Sequence, residues 1–192
     1  MIVYLHGFNS SGGSAKAAWL RQHLPDITVL SPTYPAHIAD EAPRVLHDYL
    51  ARLRSDNPKD RKLLLVGSSM GGFWARYLAA ELNAGMALIN PAMHPEADLL
   101  KAVGVNRNLA TGEEYVLTEA QVKALGRYVV STCDPAVPTL VLLDEADEVI
   151  DYRGAEAFYR NCGRVIVYPG GSHQFEHLPE ALPEIRSLYD RL

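Results

Sequence analysis

Residues 63–72 read Leu-Leu-Leu-Val-Gly-Ser-Ser-Met-Gly-Gly, an apolar run that passes at once into G-x-S-x-G and then into a segment carrying Phe73 and Trp74. No other stretch restricts the fold as much. An unbroken apolar run reads as a strand buried on both faces, as in a parallel sheet, and a strand that turns straight into a helix needs small residues where the two backbones crowd. The spacing singles out one serine. Ser69 has Gly67 and Gly71 two residues to either side, whereas Ser68 would have Val66 and Met70. Ser69 is therefore the candidate nucleophile and Ser68 a supporting hydroxyl. The first amides of the following helix lack intrahelical partners, so the Met70 N–H, with the helix dipole behind it, can stabilise an oxyanion. The same glycines would suit a plain βα turn or an anion cradle, but the lysine of a P-loop and the G-x-G-x-x-G of a dinucleotide loop are both missing.

The rest of the chain repeats the strand-then-helix rhythm. Short β-branched or leucine-rich runs predict strands at 2–5, 27–30, 63–66, 86–89, 139–143 and 165–168. Between them, helical stripes are predicted at 41–55 (Val45, Leu46, Tyr49, Leu50 and Leu53 on one face), 70–83, 152–160 and 179–191. This alternation predicts an α/β fold of about six parallel strands with helices on both faces, forming one domain over residues 1–192. One interval breaks the rhythm. Residues 91–138 are too many for a simple crossover, and with helices predicted at 96–103 and 118–127, the second capped by Thr118 and Gln121, they read as a small helical lid insertion.

Composition narrows the function classes. A formal net charge of −5 with 18 dispersed basic residues gives no support to nucleic-acid binding. No apolar run approaches the ~18 residues of a membrane span, and the opening MIVYLHG has no signal-peptide pattern, so a cytoplasmic protein is expected. Cys133 and Cys162 form no C-x-x-C pair and no dense framework, and read as buried free thiols. No cofactor is implied, and the oligomeric state is left open.

A serine hydroxyl needs a base, and the base needs a group to orient it. In a parallel sheet the ligand site lies beyond the carboxyl ends of the strands. After strand 139–143 comes the acidic loop Asp144-Glu145-Ala146-Asp147-Glu148-Val149-Ile150-Asp151. Asp147 is the best candidate there, since Asp144 is too close to the strand, Asp151 suits a helix cap, and Val149-Ile150 can anchor the loop. His23, His37, His47 and His94 precede the acid, which leaves His173 and His177 for the order Ser, Asp, His. His173 directly follows the Gly170-Gly171 turn off the last strand and is the candidate base. A second oxyanion donor is expected after the first strand, where His6-Gly7 can aim the Phe8 amide inward, with His6 itself structural. Tyr34 and Tyr115 are candidate substrate-binding residues; Phe8 and Met93 are further pocket or lid candidates.

One competing motif remains. His173-Gln174-Phe175-Glu176-His177 spells H-x-x-E-H, which on a helix would place two zinc-binding imidazoles one turn apart with a carboxylate beside them. Only 15 residues follow His177, leaving little chain for a further ligand.

These motifs in this order, HGF, GSSMG, ADEVID and GGSHQF, resemble the α/β-hydrolase superfamily over the whole chain. More narrowly, the compact length, the start at the HGF strand and LINPA followed by N-x-x-T-G-x-x-Y-V-L (Asn108 to Leu117) resemble the small bacterial YqiA-type esterases. The resemblance implies serine esterase activity on a small-molecule acyl ester or thioester, with Ser69, Asp147 and His173 as triad and Phe8 and Met70 as backbone donors. The antiparallel strands that usually precede the HG loop in that superfamily are missing here. Acyl transfer or perhydrolysis by the same triad and a non-enzymatic binding module on the same scaffold are the alternative readings.

Overall fold

The computed structural model describes residues 1–58 and 62–192. Along the chain run β1 (Ile2–Leu5), α1 (Ala15–His23), β2 (Val29–Leu30), α2 (Glu41–Asp56), β3 (Leu64–Ser68), α3 (Met70–Ala79) and β4 (Gly85–Ile89). There follow α4 (Pro95–Asp98), β5 (Gly104–Arg107), β6 (Glu114–Leu117), α5 (Glu119–Ala124), β7 (Thr139–Asp144), α6 (Tyr152–Tyr159), β8 (Arg164–Tyr168) and α7 (Leu178–Asp190). Six strands form one parallel sheet in the order β2-β1-β3-β4-β7-β8. The predicted α/β architecture is the observed one.

Why both faces are covered follows from the two-residue period of a strand. Val3, Leu5, Leu65, Met86, Leu88, Val141 and Leu143 point to one face, where Leu46 and Leu50 of α2, Phe73, Trp74 and Leu78 of α3, and Ala155 and Tyr159 of α6 close over them. The alternate residues Ile2, Tyr4, Leu64, Val66, Ala87, Ile89, Leu140 and Leu142 point to the other, against Ala17 and Leu20 of α1 and Ala181, Ile185 and Leu188 of α7. Each strand is thus apolar on both sides, which explains the unbroken runs in the sequence. Residues 27 and 28, predicted as strand, precede the short edge strand β2.

The stretch 91–138 differs from its prediction. In place of two plain helices it contains α4 continuing into a 3-10 turn at Leu99–Ala102, the antiparallel hairpin β5–β6, and α5 continuing into a second 3-10 turn at Leu125–Tyr128. Thr118 and Gln121 do form the predicted capping box at α5. The hairpin escaped the sequence reading because its strands have only four residues each, and because Val105 and Val116 stand 83% and 61% exposed instead of facing a core. Its turn is closed by Asn108, whose Oδ1 accepts from the amides of Ala110 and Thr111. Both ends of the stretch are tied to α3 by the buried Arg76. Its guanidinium donates to the carbonyls of Met93 (3.2 Å) and Val130 (3.0 Å) and to the Tyr159 hydroxyl (2.9 Å). A buried cation is tolerated there because each of its three nitrogens has an acceptor.

The expectation of free thiols is corrected. Cys133 and Cys162 are joined in a disulfide that links the end of this stretch to the residues after α6, with Cα atoms 6.3 Å apart. A separation of 29 residues in sequence gave no sign that the fold returns α6 beside residue 133. Among the described residues no helix is long and apolar enough to cross a membrane.

Candidate active site

The turn between β3 and α3 shows why Ser69 has glycines on either side. Ser69 sits at φ 55° and ψ −119°, a conformation that non-glycine residues rarely adopt. A Cβ on Gly67 would overlap the Gly71 carbonyl, and one on Gly71 would overlap the Leu5 carbonyl. The glycines therefore let the elbow close and pack onto β1. The strained turn is fixed from outside as well, because the Ser69 amide donates to the Ile89 carbonyl at 3.0 Å, and the Ser69 carbonyl accepts from Gly72, Phe73 and Ala92.

The structure brings Ser69, His173 and Asp147 together. Ser69 Oγ lies 3.1 Å from His173 Nε2, and His173 Nδ1 lies 2.9 and 3.0 Å from the two Asp147 oxygens. With Nδ1–H donating to the carboxylate, the Nε2 lone pair faces the serine hydroxyl. Asp147 Oδ1 also accepts from the amides of Val149 and Ile150 at 2.8 and 2.9 Å. The anchoring by Val149-Ile150 thus runs chiefly through their backbone. Burial would raise the Asp147 pKa, but hydrogen bonds from His173, Ile150 and Val149 outweigh it and hold the carboxyl below its ordinary value.

Gly170 and Gly171 have φ of 76° and 74°, so the chain leaving β8 takes a path that favours glycine. A Cβ on Gly171 would overlap the Asp144 side chain. Asp144, set aside in the sequence as too close to the strand, is fully buried and holds the whole histidine loop. Its Oδ2 accepts from the amides of Ser172 (3.1 Å) and Glu176 (2.8 Å), and its Oδ1 accepts from His177 Nδ1 at 2.7 Å. Asn90 completes the clamp. Its Oδ1 accepts from the Asp144 amide (2.9 Å), and its Nδ2 donates to the Ser172 carbonyl (3.0 Å). Sequence reasoning missed both residues as site supports. The available signal was a strand ending in a carboxylate that nothing nearby in sequence could neutralise.

The H-x-x-E-H reading requires a helix, and α7 begins only at Leu178, with His177 as its N-cap. His173 and His177 face different carboxylates, so the motif's geometry is not present.

Around the first strand, His6 is buried and its roles are fixed on both sides. Nδ1–H donates to the Gly7 carbonyl at 2.9 Å and Nε2 accepts from the Tyr34 amide at 3.3 Å, which requires the neutral ring. Burial lowers its pKa, more than the Gly7 bond raises it. Tyr34 is itself buried and donates to the His6 carbonyl at 2.8 Å, so it braces the HG loop from behind and borders a cavity on the hairpin side. Gly7 lets the loop approach, since a Cβ there would lie 3.3 Å from that of Ser69. Among the described residues, neither the Phe8 nor the Met70 amide has a protein acceptor. Tyr115, on β6, donates to Asn9 Oδ1 at 2.6 Å and stacks on His37 at 4.3 Å between ring centres. Asn108 Nδ2 donates to the Ser10 carbonyl at 3.1 Å, a second tie between hairpin and HG loop.

A parallel sheet that carries a strained serine at the β3–α3 turn, with the HG loop beside it, is the arrangement of the α/β-hydrolase fold. Solved structures share this fold over nearly the full chain. A protein from Agrobacterium vitis S4 assigned to the hydrolases superposes with a TM-score of 0.76 at 20% identity, covering 98% of this chain and 87% of that one. A monoacylglycerol lipase from Paleococcus ferrophilus gives 0.71 at 15% identity (100% and 94%), and a thermophilic esterase from Thermogutta terrifontis gives 0.69 at 21% identity (98% and 90%). By sequence the chain belongs to the uncharacterised protein family UPF0227, whose model matches residues 1–190. A UPF0227 protein of Shewanella loihica is 24% identical over 194 residues, covering 100% of this chain and 99% of its own. One from Yersinia enterocolitica is 25% identical over 191 residues, covering 97% of each.

Proposed function

We propose that the chain is a serine hydrolase of carboxylic esters or thioesters that works through an acyl-enzyme on Ser69. The observation that carries this reading is the continuous hydrogen-bonded path from Ser69 Oγ through the His173 ring to the buried Asp147 carboxylate. In the first half-reaction Ser69 Oγ attacks the acyl carbonyl carbon while its proton passes to His173 Nε2. Asp147 holds the Nδ1–H and stabilises the imidazolium. The carbonyl electrons collect on oxygen, where the amides of Phe8 and Met70 are the donors best placed by their loops. Collapse expels the alkoxide or thiolate, which takes the proton from His173. Water then adds to the acyl-enzyme with His173 again as base, and the acid leaves as Ser69 recovers its proton.

Within this reading residues 91–138 cover the site as a cap whose hairpin is latched to the HG loop by Tyr115 and Asn108. Tyr115 borders the hairpin-side cavity and is the substrate contact we assign there, while Tyr34 acts by bracing the loop.

The test is Ser69→Ala against a panel of activated esters and acyl thioesters. The expected loss in kcat is on the order of 10⁶. Near-normal turnover by that variant would exclude the mechanism.

A further inference from the structure

Two cavities meet at the HG loop, and their charges are opposite. The first, of about 340 Å³, contains Ser69 and His173, and its wall includes Phe8, Lys16 and Leu109. The second, of about 390 Å³, shares Gly7, Asn9 and Ser10 with the first and continues under the hairpin past His37, Glu41 and Glu113. Carboxylates line the hairpin side. On the α1 side, among the described residues, the cavity wall has no carboxylate and Lys16 is its only lysine or arginine.

Lys16 is the second residue of α1 and is half-buried. Among the described residues it has no ion pair and no side-chain hydrogen bond. A lysine in a concave wall ordinarily extends its ammonium to water or to a carboxylate, because partial desolvation of an unpaired charge is costly. Here burial pushes the ammonium's pKa down, and only the field of Asp144 opposes it. Asp144 is not a free partner. Both its oxygens are occupied by the Ser172 and Glu176 amides and by His177, within the clamp that holds the histidine loop. Lys16 thus presents an ammonium with no contacting counter-ion among the described residues to the cavity in which the reacting serine lies, and an occupant with negative charge would pair with it.

We propose that the substrate is an ester or thioester bearing an anionic group, a carboxylate or a phosphate, and that Lys16 receives this group on the α1 side of Ser69. The inference rests on the serine-hydrolase reading and sharpens it to a substrate class. An ammonium suits either anion, since it acts as a compact point charge with three donors. The carboxylates of the hairpin side would repel the same group, so the two cavities together orient the substrate.

Matched ester pairs test this. Mono-(4-nitrophenyl) succinate against 4-nitrophenyl butyrate places the anion on the acyl side; 4-acetoxybenzoate against phenyl acetate places it on the leaving group; 4-acetoxyphenyl phosphate against phenyl acetate tests the phosphate. For each pair the ratio of kcat/KM, anionic over neutral, is measured in wild type, Lys16→Met and Lys16→Arg at low and high salt. The expected result is that Lys16→Met lowers the ratio about 10- to 100-fold in at least one pair, mainly through KM, the size of one charged hydrogen bond. Lys16→Arg should retain most of the preference, and added salt should erode it. A ratio unchanged within about twofold in all pairs would overturn the proposal. So would an equal loss on neutral and anionic esters, which would make Lys16 only a structural counter-charge to Asp144. Failure of the hydrolase reading is separate, because it would appear as Ser69→Ala retaining hydrolysis of the neutral esters.

Discussion

Four residues apart in the chain, two histidines each face a buried aspartate. His173 Nδ1 lies 2.9 Å from Asp147, whose side chain is 2% exposed; His177 Nδ1 lies 2.7 Å from Asp144, which is 0% exposed. By distance and burial the pairs are almost interchangeable. What separates them lies beyond the shared bond. The far nitrogen of His173 reaches the strained serine, whereas the His177 ring stacks flat on Tyr168, with centres 4.9 Å apart. The remaining Asp147 contacts come from amides of its own loop, Val149 and Ile150; the remaining Asp144 contacts reach across to the amides of the histidine loop, Ser172 and Glu176. Under the serine-hydrolase reading, the carboxylate–histidine pair that a third group completes is the catalytic one, and the other pair serves as a clamp.

If that division is right, substitutions should separate activity from stability. Asp147→Asn should cost about 10⁴ in kcat by loss of the correct tautomer, with only a small change in melting temperature; a loss below about tenfold would merge the two pairs into one structural class. Asp144→Ala should do the reverse in emphasis. It removes acceptors from two amides and one imidazole, so about 3 kcal/mol of stability should disappear in urea unfolding, while kcat falls far less than for Asp147→Asn. Acid sharpens the contrast. The folded Asp147 pKa lies below the unfolded 3.8, so its contribution is present above that value and is lost as pH falls through the folded one. The stability gap between wild type and Asp147→Asn should then narrow below about pH 4. The smallest effect belongs to His177→Gln, expected to cost about 1 kcal/mol and to change kcat within about threefold, measured by unfolding and ester kinetics side by side. A large loss of kcat with intact folding would give His177 a role that the clamp does not explain.

The parts of the molecule legible in the sequence were those set by local sterics and period. G-x-S-x-G after an apolar run fixed the elbow because both glycines answer to backbone overlaps within the turn and with β1, and the two-sided strands announced their own burial. Gly-Gly before His173 was legible as a loop for a similar reason. The supports of the site were not. Asn90 and Asp144 are 54 residues apart, and nothing near either in sequence shows that they share a hydrogen bond. The Cys133–Cys162 bridge is hidden in the same way. The β5–β6 hairpin failed for a different reason: the sequence rule expects alternate residues to be buried, and this hairpin leaves valines in solvent. Nothing in the sequence separates Lys16 from the other dispersed basic residues; only the fold places it on the wall of the cavity that contains Ser69.

The central claim is that Ser69 alone is activated, and covalent labelling tests it most directly. The folded protein is treated with a fluorophosphonate probe, followed by intact mass measurement and peptide mapping. One adduct per chain on Ser69, absent in Ser69→Ala and strongly slowed in Asp147→Asn, is the predicted result. No adduct on folded protein, or an adduct on another residue, would contradict it.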